Sequence, residues 1–122
     1  MTNSDQVQPF DIWLVYLHFI DNPQTGKVRP VLVVGIRKDV IAVAKITSKP
    51  PQPNTGDVPI TQWQQAGLNV PSTVRCSQIF EIGSKELLRD APLGVLQPLD
   101  ITRVMQEMIT LGYFQQLEST EQ

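Results

Sequence analysis

The sequence predicts a mainly β domain that ends in one α-helix. Three segments in the first half of the chain are rich in β-branched and aromatic residues and are separated by turn-forming stretches, which is typical of strands. These segments are 11–19, 29–37 and 40–47. Near the C-terminus the apolar spacing changes to that of an amphipathic helix. The 122 residues suit a single domain, 1–122, which we expect to be ordered over about 9–117, with flexible polar termini at 1–8 and 118–122.

The second and third predicted strands are the best candidates for a tight hairpin. Only Lys38 and Asp39 separate them, although this dipeptide lacks the glycine that such turns favour. Pro30 cannot donate a backbone hydrogen bond, so it belongs at the beginning of its strand or on a sheet edge. The sequence therefore places Arg29 at the point where the preceding loop, 21–28, becomes sheet.

The second half of the chain contains shorter elements. In order, we expect a Pro-rich loop at 48–56, a short edge strand at 58–60, a single helical turn at 61–66 that Gly67 ends, and a strand at 72–80. Period-2 alternation in that last strand puts Arg75, Ser77 and Ile79 on one face. The C-terminal helix would begin at Asp100 as N-cap and stop at Gly112. Its core-facing stripe would be Ile101, Val104, Met105, Met108 and Ile109.

Composition excludes several classes of site. Cys76 is the only cysteine and His18 the only histidine, so the chain can form no internal disulfide and no Cys/His zinc site. We therefore expect a reducing, cytoplasmic location and neither a metal nor another cofactor. The polar start of the chain does not resemble a secretory signal, and the apolar runs are too short to cross a membrane.

The charge is unevenly distributed although the formal net charge is only -2. Residues 22–79 hold seven basic and two acidic side chains, whereas the rest of the chain holds three basic and ten acidic ones. This pattern indicates either a side that faces a polyanion or an ordinary solvated surface. The chain has no Gly-rich phosphate loop, no dinucleotide-binding motif, no Ser-containing elbow that would give His18 a nucleophile, and hardly any carboxylates in its predicted strands.

The remaining candidate site combines arginines and hydroxyls. Arg29 begins one strand and Thr47 ends the next, so a hairpin about Lys38 and Asp39 brings the two nearly opposite each other. Arg75 and Ser77 lie on a later strand. A guanidinium matches a phosphate and can stabilise charge that builds on phosphorus, while a hydroxyl can orient an attacking group. The alternative is that Arg29 is an ordinary surface residue at a strand end and Thr47 an ordinary strand residue.

At these positions the sequence resembles the PemK/MazF toxins of type II toxin–antitoxin systems, over residues from about 10 to 117. Five segments match family motifs in order and spacing. They are Asp11-Ile-Trp-Leu-Val15, Arg29-Pro-Val-Leu-Val-Val34, Lys45-Ile-Thr-Ser48 for a Pro-Ile-Thr-Ser-like tetrad, Gly67-Leu68, and Val74-Arg-Cys-Ser-Gln78 for the Val-Arg-Cys-Asp-Gln of Kid-like members. The resemblance implies an SH3-like β-barrel, the fold shared by the PemK, MazF and CcdB toxins.

The resemblance also implies a function, namely a homodimeric endoribonuclease that cuts single-stranded RNA without a metal and is inhibited by a cognate antitoxin. Attack of the 2′-hydroxyl on the adjacent phosphorus would leave a 2′,3′-cyclic phosphate. If the family's roles apply at the matching positions, Arg29 would stabilise charge or donate a proton, Thr47 would position the attacking group, and Arg75 would assist at the phosphate. The substrate-binding residues would be Lys27, Ser48, Ser77 and Gln78. The basic central segment predicts an acidic antitoxin segment that competes with RNA.

The sequence departs from the family pattern at three places. Phe10 replaces a glycine, the loop 21–28 differs from the family's Gly-rich loop, and Ser77 replaces an acid. A serine hydroxyl is a far poorer general base than a carboxylate, so chemistry that depends on that acid does not transfer. Two alternatives therefore stand beside the nuclease: a non-catalytic toxin similar to the gyrase-poisoning CcdB toxins, and a degenerate family member that only binds protein or RNA.

Overall fold

A computed structural model describes residues 6–18, 22 and 24–113 of the chain. The described residues form a curled six-stranded antiparallel sheet with the strand order β4-β5-β3-β2-β1-β6, followed by one α-helix. The elements are β1 (Asp11–His18), β2 (Gly26–Arg37), β3 (Val40–Thr47), β4 (Asp57–Ile60), β5 (Ser72–Gly83), β6 (Gly94–Val95) and α1 (Pro98–Thr110). The predicted fold class, mainly β with a C-terminal helix, is confirmed. Of the termini expected to be flexible, 1–8 and 118–122, residues 1–5 and 118–122 lie outside the described residues, as do residues 19–21, 23 and 114–117.

The hairpin between β2 and β3 has the predicted two-residue turn. Arg37 pairs with Val40, which leaves Lys38 and Asp39 as the turn residues. Lys38 has a φ of 55°, so a non-glycine residue adopts the left-handed conformation here. That conformation costs about 1–2 kcal/mol in a residue with a side chain, and the long ladder that follows offsets this cost. The predicted hairpin is thus formed without the expected glycine.

Apolar residues pack on both faces of the sheet. The larger core cluster contains the residues Ile12, Leu32, Ala44, Ile46, Val58, Ile60, Ala66, Leu68, Val74, Cys76, Leu96, Val104 and Met108. The second cluster lies on the opposite face and contains Val7, Trp13, Val15, Val31, Val33, Ile41, Val43, Ile82 and Leu87. Trp13 is fully buried, and Trp63 is half-buried against the first cluster. Val7, from the predicted polar N-terminal segment, contributes to the second cluster.

The sheet divides at one end, and this division creates the space for a site. The ladder between β2 and β3 ends at the pair Val31 and Lys45. Beyond it β2 continues to pair only with β1, as far as Gly26, while β3 continues to pair only with β5, as far as Thr47. Because the hydrogen-bonded connection between the two central strands stops there, the arms β1–β2 and β3–β5 can diverge.

Helix α1 begins earlier than predicted, and Asp100 is not its N-cap. Gln97 occupies the N-cap position and Pro98 is the first helical residue. Proline suits that position because its fixed φ is already helical and its missing N–H would have no partner there. Gly112, with a φ of 90°, follows the helix as expected. The prediction that Met105 and Ile109 are core is also wrong, because these side chains are 39% and 52% exposed whereas Met108 is buried.

The carboxylate of Asp100 instead links α1 to the turn after β4. One oxygen accepts hydrogen bonds from the backbone N–H and hydroxyl of Thr61, at 3.1 and 2.8 Å. The other accepts a bond of 2.9 Å from the backbone N–H of Gln62. Asp100 is fully buried, so these three bonds replace its hydration and hold the helix against the sheet. Within the described ranges, no helix is long and apolar enough to span a membrane.

We expect Asp100→Ala to destabilise the fold by about 3 kcal/mol, because it leaves buried N–H and O–H donors without an acceptor. Urea unfolding followed by circular dichroism measures this change. Asp90→Ala removes an exposed carboxylate and should change stability by less than about 0.5 kcal/mol. Equal stability of the two variants would contradict the linking role of Asp100.

Candidate functional site

A cavity of about 720 Å³ opens where the two arms of the sheet diverge. Six basic side chains line it: Lys27, Arg29, Lys45, Lys49, Arg75 and Arg89. Among the residues that the structure describes, no acidic residue lines it. Leucines and valines from β1 and from the chain segments near residues 68 and 93 line part of the same cavity. The cavity therefore combines a strongly cationic part with an apolar part, a combination that suits a ligand carrying phosphates on an organic framework.

Five of the predicted site residues meet in this cavity. They are Lys27, Arg29, Thr47, Ser48 and Arg75. Because Val31 pairs with Lys45, continuing the register by two residues puts Arg29 opposite Thr47, as the hairpin predicts. The two residues face each other across the gap between β2 and β3.

Two predicted site residues, Ser77 and Gln78, do not line the cavity. The ladder between β3 and β5 is irregular at this point: Lys45 pairs with Arg75, but the preceding residue of β3 pairs with Ile79. The bulge leaves residues 76–78 of β5 without partners in β3, and Ser77 and Gln78 are both exposed. The period-2 alternation of side chains, which predicts that Arg75 and Ser77 lie on one sheet face, is therefore interrupted at the bulge.

The hydroxyl of Thr47 is oriented by the turn that follows β3. Its oxygen accepts a hydrogen bond of 3.2 Å from the backbone N–H of Lys49. A hydroxyl has one hydrogen to donate as well as lone pairs that accept. Since one lone pair already has a partner, the hydroxyl can still donate its hydrogen to a bound oxygen. Thr47 is thus suited to positioning an oxygen of a ligand rather than to removing a proton.

Arg75 forms no ion pair within the described part of the chain. Its Nε is buried and has no hydrogen-bond partner there. Asp57 is the cross-strand neighbour of Arg75 on β4. One carboxylate oxygen of Asp57, however, accepts a hydrogen bond of 3.1 Å from the backbone N–H of Gln52, and no ion pair joins Asp57 to Arg75 in the described structure. A buried N–H without a partner is costly, and an anionic ligand would satisfy it.

Sequence reasoning missed three cationic lining residues, Lys45, Lys49 and Arg89, and the histidine His18. Lys45 lies two residues from Thr47 on the same strand, so period-2 alternation alone could have indicated it. Lys49 could have been found from its place in the turn after Thr47. His18, whose ring contacts that of Tyr16 edge-on at 5.1 Å, and Arg89 reach the cavity through tertiary packing, for which no local pattern exists.

Two other chemistries receive no support from the geometry. Burial raises the pKa of the Cys76 thiol to about 12, and the negative charges of Glu107 and Asp57 add to this effect. The thiol therefore stays protonated at neutral pH and is a poor nucleophile. Among the residues that the structure describes, no three His, Cys, Asp or Glu side chains lie close enough together to hold a metal ion.

Comparisons with known proteins agree on one family. The family model described as PemK-like, MazF-like toxin of type II toxin–antitoxin system matches residues 8–111. The toxin MazF-mt6 of Mycobacterium tuberculosis is 26% identical, with a TM-score of 0.61, over 80% of this chain and 91% of that one. No curated protein matches the sequence significantly.

Two further solved structures share the fold at lower identity. An endoribonuclease from a mycobacterial species has a TM-score of 0.58 and 17% identity over 80% of this chain and 85% of its own. A MazE–MazF structure from Deinococcus radiodurans has a TM-score of 0.61 and 15% identity, over 86% of this chain and 93% of the matched chain.

Proposed function

Since the chain belongs to the PemK-like, MazF-like toxin family of type II toxin–antitoxin systems, we propose that it is an endoribonuclease that cuts single-stranded RNA in its cationic cavity. The proposal is supported by the six lysines and arginines that line the same cavity as Thr47, where no acidic residue of the described ranges is found. Phosphate contacts supply most of the sequence-independent affinity of proteins for nucleic acids. A flexible single strand can follow a cavity that lies between two diverging arms.

The proposed reaction is an internal transesterification. The 2′-oxygen of one nucleotide forms a bond to the adjacent phosphorus, and the bond from phosphorus to the 5′-oxygen of the next nucleotide breaks. The proton lost by the 2′-hydroxyl is balanced by the proton gained at the 5′-oxygen. The products are a 2′,3′-cyclic phosphate and a 5′-hydroxyl, and the reaction needs no co-reactant. Negative charge builds up on the phosphorus oxygens in the transition state, where fixed cations are most effective.

In the proposal, three residues have different roles in this reaction: Arg29, Thr47 and Arg75. Arg29 stabilises the developing charge or donates a proton to the leaving oxygen from the β2 side. Thr47, whose oxygen already accepts the Lys49 N–H, positions the attacking group. Arg75 binds the phosphate from the β5 side, where its buried Nε lacks another partner.

Substrate binding extends beyond the reacting phosphate. Lys27 and Ser48 line the cavity and would bind neighbouring phosphates or sugars. Ser77 and Gln78 are exposed but outside the cavity, so in this proposal they contact a more distant nucleotide. We further propose that the enzyme works as a homodimer in the cytoplasm.

An antitoxin is the proposed protein partner. In the Deinococcus structure a MazF chain occurs with MazE. A cavity lined by six cations favours a partner segment rich in Asp and Glu, because opposite charges steer association and fix its register. Such a segment would compete with RNA for the same cations.

The proposal is tested by incubating the purified protein, in the presence of EDTA, with a long single-stranded RNA and mapping the new ends. We expect cuts that leave 2′,3′-cyclic phosphate and 5′-hydroxyl ends. Thr47→Val, which keeps the shape and removes the hydroxyl, should cut at least ten-fold more slowly. Intact RNA over a broad range of sequences would overturn the nuclease proposal and favour a binding-only toxin.

A further inference from the structure

Two like charges lie directly opposite each other in the cavity. Lys45 of β3 pairs in register with Arg75 of β5, so both side chains project from the same face of the sheet. Both are half-buried and both line the cavity. Like charges at directly opposed positions destabilise a sheet, and partial burial increases their repulsion because fewer water molecules screen it. The folded chain thus keeps an unfavourable pair at this place.

The neighbours of Lys45 on that face do not neutralise it. Across the other ladder Lys45 faces Val31, which is fully buried. Along β3 the same face carries Val43 two residues before and Thr47 two residues after. The carboxylate of Asp57 lies opposite Arg75 in the ladder between β4 and β5. It accepts the Gln52 N–H, however, and forms no ion pair with Arg75 in the described structure. Among the described residues, neither Lys45 nor Arg75 therefore forms an ion pair.

Four polar side chains near the gap lie on one face of the sheet. Lys45 is two residues from Thr47, and its partner Val31 is two residues from Arg29, so these side chains share one sheet face. Arg75 lies beside Lys45 on that face. A phosphate held there contacts cations from β2, β3 and β5. A planar guanidinium offers a fork of N–H donors and an ammonium offers a compact charge, and together they suit the two non-bridging oxygens of one phosphate.

We propose that Lys45 is a further catalytic residue, which binds the scissile phosphate together with Arg75 as a two-cation clamp. This inference rests on the proposed function, since it names the group that holds the phosphate during transesterification. The clamp also replaces part of what a carboxylate-based site would provide, because it stabilises the charged transition state instead of strengthening a base. The repulsion between the two cations in the free protein is relieved when the dianionic phosphorus centre forms.

The clamp predicts opposite effects on stability and on activity. Lys45→Met keeps a long unbranched side chain and removes one of the two opposed charges. We expect this variant to melt at a higher temperature than the wild type and to cut RNA at least ten-fold more slowly. Lys45→Arg keeps the charge, so its cutting rate should stay within about three-fold of the wild type. Lys85→Met, at an exposed position outside the cavity, is the matched control and should leave both quantities unchanged.

The affinity for an RNA that cannot be cut tests the clamp independently of the nuclease activity. An RNA that carries 2′-O-methyl groups throughout cannot react, but it keeps all its phosphates. The slope of log Kd against log salt concentration should fall by about 0.7 in Lys45→Met, the value for one lost phosphate contact to a single strand. A changed slope with a wild type that does not cut RNA would support the clamp and overturn the nuclease. An unchanged slope, or equal cutting by Lys45→Met and wild type, would overturn the clamp.

Discussion

Arg29→Ala should reduce the rate of RNA cleavage by about 100-fold to 1000-fold, the range observed when one fixed donor to a transition-state anion is removed. Arg29 is exposed at the edge of the cavity and lies opposite Thr47 across the gap. Its loss therefore removes charge from the reacting phosphate without disturbing either core cluster. Single-turnover cleavage of an end-labelled RNA measures the rate of the chemical step directly.

Arg37→Ala is the matched control for Arg29→Ala. Arg37 is an exposed arginine at the other end of the same strand, eight residues away and next to the hairpin turn. At about 3.3 Å per residue, that is roughly 26 Å from Arg29 along β2. We expect this variant to cleave at the wild-type rate. If Arg29→Ala cleaves within about three-fold of Arg37→Ala, Arg29 does not act on the reacting phosphate.

Gly67→Ala should destabilise the fold by about 3 kcal/mol or more. Gly67 has a φ of 93°, and a Cβ built there would lie 2.3 Å from the carbonyl oxygen of Leu93. Both the backbone conformation and the contact with a neighbouring backbone oxygen require glycine. Because Gly67 and Leu93 also line the cavity, relaxation of the clash would shift its apolar part. Urea unfolding measures the loss of stability.

Gly35→Ala tests whether any added methyl group in the sheet has the same effect. A Cβ at Gly35 would meet only the Cβ of Ala42, at an ordinary contact distance of 3.7 Å. Replacing glycine also reduces the entropy of the unfolded chain, so we expect a change within about 0.5 kcal/mol of wild type. A loss at Gly35 equal to that at Gly67 would show that the close approach to Leu93 is not the cause.

Local patterns predicted the central hairpin and, through it, that Arg29 and Thr47 lie close together in the candidate site. The two-residue spacer at Lys38 and Asp39 predicts the hairpin and puts Arg29 nearly opposite Thr47. A bulge between Val33 and Gly35, which the spacer does not predict, shifts the register by one residue and makes the two positions directly opposite. The short edge strand β4 and the amphipathic helix were also predicted, because each depends on spacing within a few residues. Such features are local in sequence and need no knowledge of tertiary packing.

Features that depend on contacts between distant segments were not predictable. Asp100 has the residue type and position of an N-cap, but its carboxylate binds Thr61 and Gln62, more than thirty residues earlier. The bulge in β5 turns Ser77 out of the alternation that relates it to Arg75. Arg89 reaches the cavity from the segment that follows β5. In each case tertiary packing decides the position, and the local pattern alone contains no signal for it.

The cationic lining of the cavity fits the replacement of the expected acid by Ser77. With Ser77 outside the cavity and no acidic lining residue in the described part of the chain, the proposed site acts mainly by binding and by charge stabilisation. A site of this kind should depend on its arginines and on Lys45 more strongly than on any one proton acceptor. The charge of the cavity, rather than a general base, is therefore the feature to which we assign the activity.

Attack by the 2′-hydroxyl is tested most simply by removing that group from the substrate. Once the cleavage position is mapped, an RNA oligonucleotide is made with a single 2′-deoxynucleotide on the 5′ side of the bond that is cut. We predict that the wild type binds this oligonucleotide as tightly as the all-ribose one and leaves it intact at that bond. Cleavage of the modified bond at the normal rate would contradict attack by the 2′-hydroxyl and, with it, the proposed mechanism.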